Sequence, residues 1–323
     1  MQRKTFFHPI AATIAGIFLC LCTLLSAAHA QTCGFSVTNV SFGSVDVTAN
    51  SVVDTTATVS ITCNGLGVAL RVCVNIGAGS GGGSSATHRL MTSGSNNLIY
   101  GLYSDAARTA PWGSDFWAGG GAAPVTVIFP LFIGSSTQTV TMYGRVFAGQ
   151  QTVPAGSYLS SFSSLDADIK YGLLSILSCN LLTADATTSF NVSATVPSAC
   201  SVSASNLNFG SAGVLASDVD ATGTLSVTCT NAAPYTLGLS AGAKVGATTS
   251  SRGMTGPSGG IINYALYQNA ARTLNWGNSP GVDTVAGTGA GLTQSVSVFG
   301  RVPAQTTPVA GTYTDTIVVT VTY

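Results

Sequence analysis

The chain contains one sequence module twice, and this duplication constrains its fold more than any other feature. Matching blocks recur in the same order: Cys33–Val37 with Cys200–Ala204, Val40–Ser44 with Leu207–Ser211, Val59–Cys63 with Leu225–Cys229, Leu98–Gly113 with Ile262–Gly277, Val140–Val146 with Val296–Val302, and Pro154–Tyr158 with Val309–Tyr313. Blocks that keep their order in this way indicate a duplicated folding unit. We therefore expect two domains, module one (31–182) and module two (200–323), joined by residues 183–199.

Each module reads as a set of short β-strands separated by tight turns. Charged residues make up only 7% of the chain, and Glu is absent, whereas Gly, Ser, Thr, Ala and Val dominate. Val and Thr fit pleated strands, and Gly, Asn and Ser form turns. Alternating runs between turn clusters are typical of a sandwich. The sequence therefore predicts an all-β protein of two tandem immunoglobulin-like β-sandwiches.

The clearest strand closes module two. In residues 314–323, Ile317, Val319 and Val321 fall on one face and polar residues fall mostly on the other. A strand with nothing left beside it is a candidate for an open sheet edge. We predict that these three side chains lie on an open edge strand of module two.

The first thirty residues predict export from the cytoplasm. Arg3 and Lys4 precede an uncharged apolar run, which ends at the small-x-small motif Ala28-His29-Ala30. This pattern is typical of a secretory signal peptide (1–30), so that the mature chain would begin at Gln31. No later stretch has the roughly 18 apolar residues that a membrane-spanning helix needs.

Six of the eight cysteines follow the predicted signal peptide, because Cys20 and Cys22 lie within it. An even number of cysteines in an exported chain favours disulfides. The repeat assigns the pairs by symmetry, leaving the two unmatched cysteines for each other: Cys33–Cys63, Cys200–Cys229 and Cys73–Cys179.

The composition argues against catalysis and against nucleic-acid binding. His88 is the one histidine after residue 30, and it lies in a Gly/Ser-rich stretch better interpreted as a surface loop. No pair of carboxylates suggests glycoside cleavage, and Asp166 with Asp168 is a weak candidate for a metal. A net charge of zero leaves no basic surface for nucleic acid. We predict a protein that is not an enzyme, with no cofactor and no metal.

Module two resembles the spore coat protein U domain family, which includes subunits of archaic, Csu-type chaperone–usher pili. The resemblance lies in Asn208-Phe-Gly, the strand ending at Cys229, Tyr264-Ala-Leu-Tyr267, Asn275-Trp-Gly, Gly300-Arg-Val-Pro303 and the closing run from Gly311. It implies an incomplete sandwich that lacks its last strand and exposes an apolar acceptor groove, with Ile317, Val319 and Val321 on the edge strand of that groove. A periplasmic chaperone would fill this groove first, and a shaft pilin would then donate an N-terminal strand after passage through an outer-membrane usher.

Two departures from a shaft subunit indicate a tip subunit. Only Gln31 and Thr32 separate the predicted cleavage site from Cys33, too few residues to form a donor strand. A donor-like alternation instead appears in residues 187–196, with Phe190, Val192, Ala194 and Val196 on one face. We predict that this segment completes module one in cis; the alternative is an ordinary interdomain linker.

Module one also carries an insertion between Trp112 and Tyr143, which is far more apolar than its counterpart in module two. The predicted adhesive residues are Phe116, Trp117, Ile128, Phe129, Leu131, Phe132 and Ile133. Exposed apolar loops at one end of a sandwich mark contact sites. The alternative is that Val125–Ile133 forms a buried strand, although Pro130 argues against a central one.

These features together predict an exported pilus-tip adhesin that attaches to a surface or host ligand and promotes biofilm formation. A structural spore-coat or cell-surface coat protein is the alternative, as is a shaft subunit without an adhesive role. The repeated Arg108 and Arg272 favour a role in the fold, with each arginine stem packed beside the nearby tryptophan.

Overall fold

A computed structural model describes residues 31–67, 69–117, 121–172 and 177–323. The predicted signal peptide lies outside the described residues. Within them, no helix is long and apolar enough to span a bilayer. The secondary structure is almost entirely β, with short 3-10 turns at Val47–Ala49, Ser164–Asp166, Cys179–Leu181 and Pro257–Gly259.

Module one consists of two sheets. Its strands are β1 (Thr32–Val37), β2 (Val40–Ser44), β3 (Val53–Gly67), β4 (Leu70–Ile76), β5 (Arg89–Ser93), β6 (Asn96–Tyr103), β7 (Val125–Phe129), β8 (Phe132–Val146), β9 (Gly156–Phe162), β10 (Ala167–Gly172), β11 (Ala184–Thr187) and β12 (Phe190–Val196). Eight strands form one sheet in the order β1-β3-β8-β6-β5-β9-β12-β2, and four form the other in the order β11-β10-β4-β7. Alternating apolar residues of both sheets meet in one core, as in a sandwich.

Module two repeats this arrangement with fewer strands. They are β13 (Cys200–Ala204), β14 (Val219–Cys229), β15 (Pro234–Leu239), β16 (Arg252–Thr255), β17 (Ile261–Tyr267), β18 (Val285–Thr288), β19 (Gln294–Val302) and β20 (Val319–Thr322). The sheets have the orders β13-β14-β19-β17-β16 and β18-β15-β20, with a separate core between them. The fold is the predicted pair of all-β sandwiches, the second one less complete.

Three disulfides link strands within the modules. Cys33 lies directly opposite Cys63 in the β1–β3 ladder, and Cys200 lies opposite Cys229 in the β13–β14 ladder. The third bond joins Cys73 of β4 to Cys179, at the start of a 3-10 turn. These are the pairs expected from the repeat.

Buried polar anchors also repeat between the modules. The indole Nε1 of Trp112 donates to Val74 O, and that of Trp276 donates to Leu237 O, each at 2.9 Å. A buried arginine lies beside each tryptophan: Arg89 donates to the carbonyl oxygens of Gly77, Ile76 and Trp112, and Arg252 donates to those of Ser240, Leu239 and Trp276. Each guanidinium thereby satisfies carbonyl groups that would otherwise be buried without a partner.

The expectation that Arg108 and Arg272 pack beside tryptophan is wrong. Their guanidinium groups lie 5.7 Å from the ring of Tyr143 and 5.9 Å from the ring of Phe299. Each also donates to a backbone carbonyl and pairs with an aspartate of the neighbouring strand. Both tryptophans are fully buried, and the arginines that lie beside them are Arg89 and Arg252.

Candidate strand-acceptor groove and apolar corner

Strand β12 lies between β9 and β2 in the eight-stranded sheet of module one. It runs antiparallel to β9, with Phe190 opposite Phe162, and parallel to β2 on its other side, with Val192 opposite Val40. Val45 N donates to Thr195 O at 2.8 Å, which extends the parallel ladder. The predicted segment 187–196 is thus a paired strand from Phe190 onward, and it is preceded by a separate strand β11.

The alternation of β12 places four apolar side chains inside the core. Phe190, Val192, Ala194 and Val196 are all at most 4% exposed, while Asn191 and Thr195 between them face solvent. Period-two alternation produces this division on any strand with one buried face. Both β11 and β12 therefore pair within module one, although they fall in the segment 183–199 expected between the domains.

In module two, neither of the two segments that would flank such a strand forms a regular strand. Residues 207–211 match β2, and residues 312–317 match β9. The backbone pairing of the second segment is the pair of reciprocal bonds between Thr314 and Thr255, which repeats the Thr92–Leu159 bridge of module one. No described residue occupies the position that β12 has in module one.

A groove of about 1110 Å³ lies between these two segments. Its floor consists of core side chains from both sheets of module two, among them Leu225, Leu239, Leu266 and Val298. The wall residues are half-exposed, whereas their counterparts are nearly inaccessible: Phe209 matches Phe42 (6% exposed), Tyr313 matches Tyr158 (1%), and Ile317 matches Phe162 (1%). Module two therefore has an apolar slot at the site that β12 covers in module one.

The three residues predicted for the acceptor edge all face the core of module two. Ile317, Val319 and Val321 are half-buried and pack against the core cluster. Ile317 and Val319 line the groove, and Val319 and Val321 belong to β20. The structure therefore divides the predicted run between the groove wall and a neighbouring edge strand.

One polar pair lies among the lining residues of this groove. The hydroxyl of Tyr264 donates to Asp315 Oδ2 at 2.7 Å, and Asp315 Oδ1 accepts from the backbone N–H groups of Ala243 and Thr316. Burial and the adjacent carboxylate raise the pKa of Tyr264, so this hydroxyl stays a donor at neutral pH. Ser160 occupies the place of Asp315 in module one, so this part of the groove is specific to module two.

The apolar insertion of module one forms a corner between the two sheets. Strand β7 pairs with β4 in one sheet, β8 pairs with β3 in the other, and Pro130 and Leu131 join them. We call this region, with Ile128, Leu131 and Ile133, the apolar corner. Ile133 is 83% exposed, Leu131 is 68% exposed, and Ile128 on the outer face of β7 is 42% exposed. The prediction that Phe129 belongs to an exposed loop is wrong, because alternation along β7 turns its ring fully into the core. Phe132 is half-buried against the same core, and its ring centroid lies 5.9 Å from that of Phe129, with the planes inclined by 57°.

Phe116 and Trp117 have other surroundings. The guanidinium of Arg89 lies 4.5 Å from the ring of Trp117, and Lys170 Nζ lies 5.3 Å from the ring of Phe116. Trp117 is half-buried as a result, whereas Phe116 remains 41% exposed. These two residues therefore pack over cationic side chains of module one and do not belong to the apolar corner.

Sequence reasoning missed two features. Leu66, 55% exposed, lies opposite Ile133 in the β3–β8 ladder and adds to the surface of the apolar corner. It could have been found only by extending the pairing register of these strands. The buried arginines had a clearer signal, because the pattern Arg-x-Met-Thr occurs at Arg89 and again at Arg252.

The residues weighed for chemistry are dispersed. The ring of His88 packs 4.4 Å from that of Phe147. Asp168 is buried beside Asn75, and burial raises the pKa of its carboxyl group. Over the described ranges, no cluster of three or more His, Cys, Asp or Glu side chains has an arrangement that could hold a metal ion.

The sequence matches the family model of the Spore Coat Protein U domain in two regions, residues 20–163 and 186–320. These regions correspond to the two modules. The chain is also 36% identical over 155 residues to Protein U of Myxococcus xanthus, an alignment that covers 43% of this chain and 86% of that protein.

The fold is similar to that of a chain in the crystal structure of the CsuC-CsuE chaperone–tip adhesion subunit pre-assembly complex from archaic chaperone–usher Csu pili of Acinetobacter baumannii. The TM-score is 0.52 at 15% identity, with 90% of this chain and all of that chain covered. The CupB6 tip adhesin of Pseudomonas aeruginosa aligns over 90% of this chain and 95% of its own, with a TM-score of 0.38 at 13% identity.

Proposed function

This chain belongs to the Spore Coat Protein U domain family, and we propose that it is the tip subunit of a chaperone–usher pilus. Module two receives an extended strand in its groove, first from a periplasmic chaperone and then from the N-terminal segment of a shaft pilin. Module one is the adhesive domain. The chain is exported through the periplasm, passes an outer-membrane usher and reaches the cell surface.

The observation that carries this proposal is the difference between the two modules. The site filled by β12 in module one is an open apolar groove of about 1110 Å³ in module two. An extended segment that enters such a groove gains main-chain hydrogen bonds from both walls, and its alternate side chains fill the floor. The same physics holds β12 in place, so module one is itself an example of the completed state.

The tip position follows from which module is complete. Module one has both neighbours of β12 paired and its core closed, so it needs no strand from a neighbouring subunit. Module two supplies one acceptor groove. A subunit with one closed domain and one acceptor domain fits the end of a linear assembly, and the similar fold in the Csu tip-subunit complex supports this assignment.

The adhesive role rests on the apolar corner. Leu66 and Ile133 lie opposite each other in the β3–β8 ladder, Leu131 lies in the connection from β7, and Ile128 lies on β7; all four side chains are exposed. Soluble proteins rarely leave several such side chains exposed in one region unless the surface makes contacts. We assign attachment to apolar surfaces, and through it biofilm formation, to this corner.

A strand-addition experiment tests the groove. The full chain is mixed with a synthetic peptide that has the sequence of residues 190–196, and complex formation is followed by native mass spectrometry and by Tm. We expect a 1:1 complex and a higher Tm. Ile317→Arg should abolish both effects because it places a charge in the groove. The matched variant Val318→Arg changes the next residue, whose side chain faces solvent, and should retain both effects.

A second candidate is a structural coat component that assembles without a chaperone. The 36% identity to Protein U favours it. A chain that is monomeric, equally stable with and without the peptide, and unaffected by Ile317→Arg would contradict the acceptor role and favour the coat protein.

A further inference from the structure

We propose that the strand donor of module two binds two consecutive sites, the groove and the outer edge of β20, and not the groove alone. This inference rests on the proposed function, because it describes the partner segment that the groove would receive. It predicts a donor with two short strands that cross from one sheet to the other.

The starting point is the equivalence of β20 and β10. Strand β15 matches β4, since Trp276 Nε1 bonds to Leu237 O as Trp112 Nε1 bonds to Val74 O. Val319 pairs with Leu239 of β15, and Ala167 pairs with Ile76 of β4, at the same point of the two modules. Strand β20 is therefore the counterpart of β10.

The outer edge of β10 is covered in module one. Strand β11 runs antiparallel to it, with Asp168 opposite Thr187 and Tyr171 opposite Ala184. Thr188 N also donates to Ala167 O at 3.0 Å. Ala186 of β11 packs against the core. After β11 the chain crosses to the other sheet over Thr188 and Ser189 and continues as β12.

The same edge of β20 has no partner among the described residues, because β20 is the last strand of its sheet next to β15. Ser240 N donates to Val318 O at 3.0 Å, so Val318, Thr320 and Thr322 direct their backbone groups toward β15. Alternation then turns the backbone groups of Val319 and Val321 outward. These residues match Ala167 and Ile169. Ala167 O accepts from Thr188 N just after β11, and Ile169 pairs with Ala186 of β11.

The neighbouring first strand is also less covered in module two. Val37 of β1 is 8% exposed, whereas its counterpart Ala204 in β13 is exposed and lines the groove. Cys200 is half-buried, whereas Cys33 is buried. Both sheets of module two thus have an unprotected edge at the places that β11 and β12 cover in module one. Such edges readily accept an added strand.

The occupant is therefore a segment patterned like residues 184–196 of this chain. A small apolar residue, as at Ala186, lies on the β20 edge, a polar two-residue crossover follows, and four alternating apolar residues enter the groove. The spacing between Ala186 and Phe190 is even, so both side chains can point into one core across the crossover.

The experiment uses two fusions of the full chain. In the long fusion, Tyr323 is followed by a Gly/Ser linker as long as residues 172–183 and then by a copy of residues 184–196. In the short fusion, Gly and Ser also replace the copy of residues 184–189, so that only the copy of β12 remains. Amide hydrogen exchange is measured by NMR for residues 312–317 and for Val319, Thr320 and Val321.

We expect both fusions to slow exchange in residues 312–317, and only the long fusion to slow exchange of Val319 and Val321 by about tenfold or more. Thr320 is the internal control, because its amide faces β15 in either case. Equal exchange of Val319 and Val321 in the two fusions would overturn the two-site donor but leave the groove intact. No protection of residues 312–317 in either fusion would overturn the proposed function and this inference together.

Discussion

The ring of Phe190 stacks on the ring of Phe162, with centroids 4.6 Å apart and planes inclined by 10°. This contact lies at the end of the β12–β9 ladder, where Phe190 is opposite Phe162. The residue that matches Phe162 in module two is Ile317, which is half-exposed at the groove wall. The two modules therefore differ most clearly at this pair.

Replacing the ring of Phe190 should strongly destabilise module one. We expect Phe190→Ala to lower the free energy of unfolding by about 3–5 kcal/mol, because it removes a buried aromatic ring and leaves a cavity. Asn191→Ala, on the solvent face of the same strand, is the matched control and should change stability by less than about 0.5 kcal/mol. Urea denaturation measures both. Equal, small effects would mean that β12 does not help hold module one together.

The exposed and buried residues of the apolar corner should respond differently. Leu131→Asp and Ile133→Asp should reduce binding of the full chain to hydrophobic beads several-fold while leaving the free energy of unfolding within about 0.5 kcal/mol of the original. Val245→Asp is the control, because Val245 is 97% exposed in module two and lies outside the apolar corner. Undiminished binding by both of these variants would contradict the adhesive assignment.

Phe129→Ala should have the opposite profile. Its ring projects from β7 into the core and is fully buried, so we expect a loss of about 3–5 kcal/mol in unfolding free energy. Binding to the beads, measured on the folded fraction, should stay close to that of the original chain. A stable variant with weakened binding would instead restore Phe129 to the contact surface.

The buried arginines should not tolerate lysine. Arg252 donates to four carbonyl oxygens through all three nitrogens of its planar guanidinium, and a single ammonium group cannot reproduce this geometry. Each buried carbonyl left without a donor costs about 1–3 kcal/mol, so Arg252→Lys should lower stability by at least that amount. Arg301→Lys, at an exposed ion pair, is the control and should change stability far less than Arg252→Lys.

Acid should weaken the pair between Asp220 and Arg301. The hydrogen bonds from Arg301, at 2.7 and 2.9 Å, hold the pKa of Asp220 below its ordinary value of 3.8. Because the pKa is lower in the folded state, the pair stabilises the fold above pH 3.8, and this contribution disappears as the pH falls through the folded-state pKa. Asp220→Asn should therefore be less stable than the original at pH 7.

The difference should shrink as the pH falls through the folded-state pKa of Asp220, because protonation removes the carboxylate that the variant also lacks. Thermal unfolding between pH 2 and pH 7 measures it, and its size should stay below about 1 kcal/mol because the pair is partly exposed. The double variant Asp220→Asn/Arg301→Gln isolates the coupling of the two residues. A gap that is unchanged at low pH would show that the loss has another origin.

The sequence by itself was sufficient for the architecture and for the symmetry of the chain. The repeated blocks predicted two similar β modules and the pairs Cys33–Cys63 and Cys200–Cys229, since a duplicated segment must satisfy the same local geometry twice. Cys73 and Cys179, which have no counterparts in module two, were left for each other. The alternation from Phe190 to Val196 indicated a strand with one apolar face. Period-two patterns and turn residues are local properties, and local properties are readable from one chain.

Tertiary structure decided which apolar residues are hidden. Phe129 and Ile133 belong to the same apolar run, yet one is enclosed in the core and the other is almost fully exposed, because Pro130 and Leu131 turn the chain and reset the alternation. The same holds for Val192 and Val319, both on alternating strands: a strand lies on each side of Val192, while Val319 has a partner strand on one side only among the described residues. Burial depends on which strands meet across the sandwich, and no local pattern contains that information.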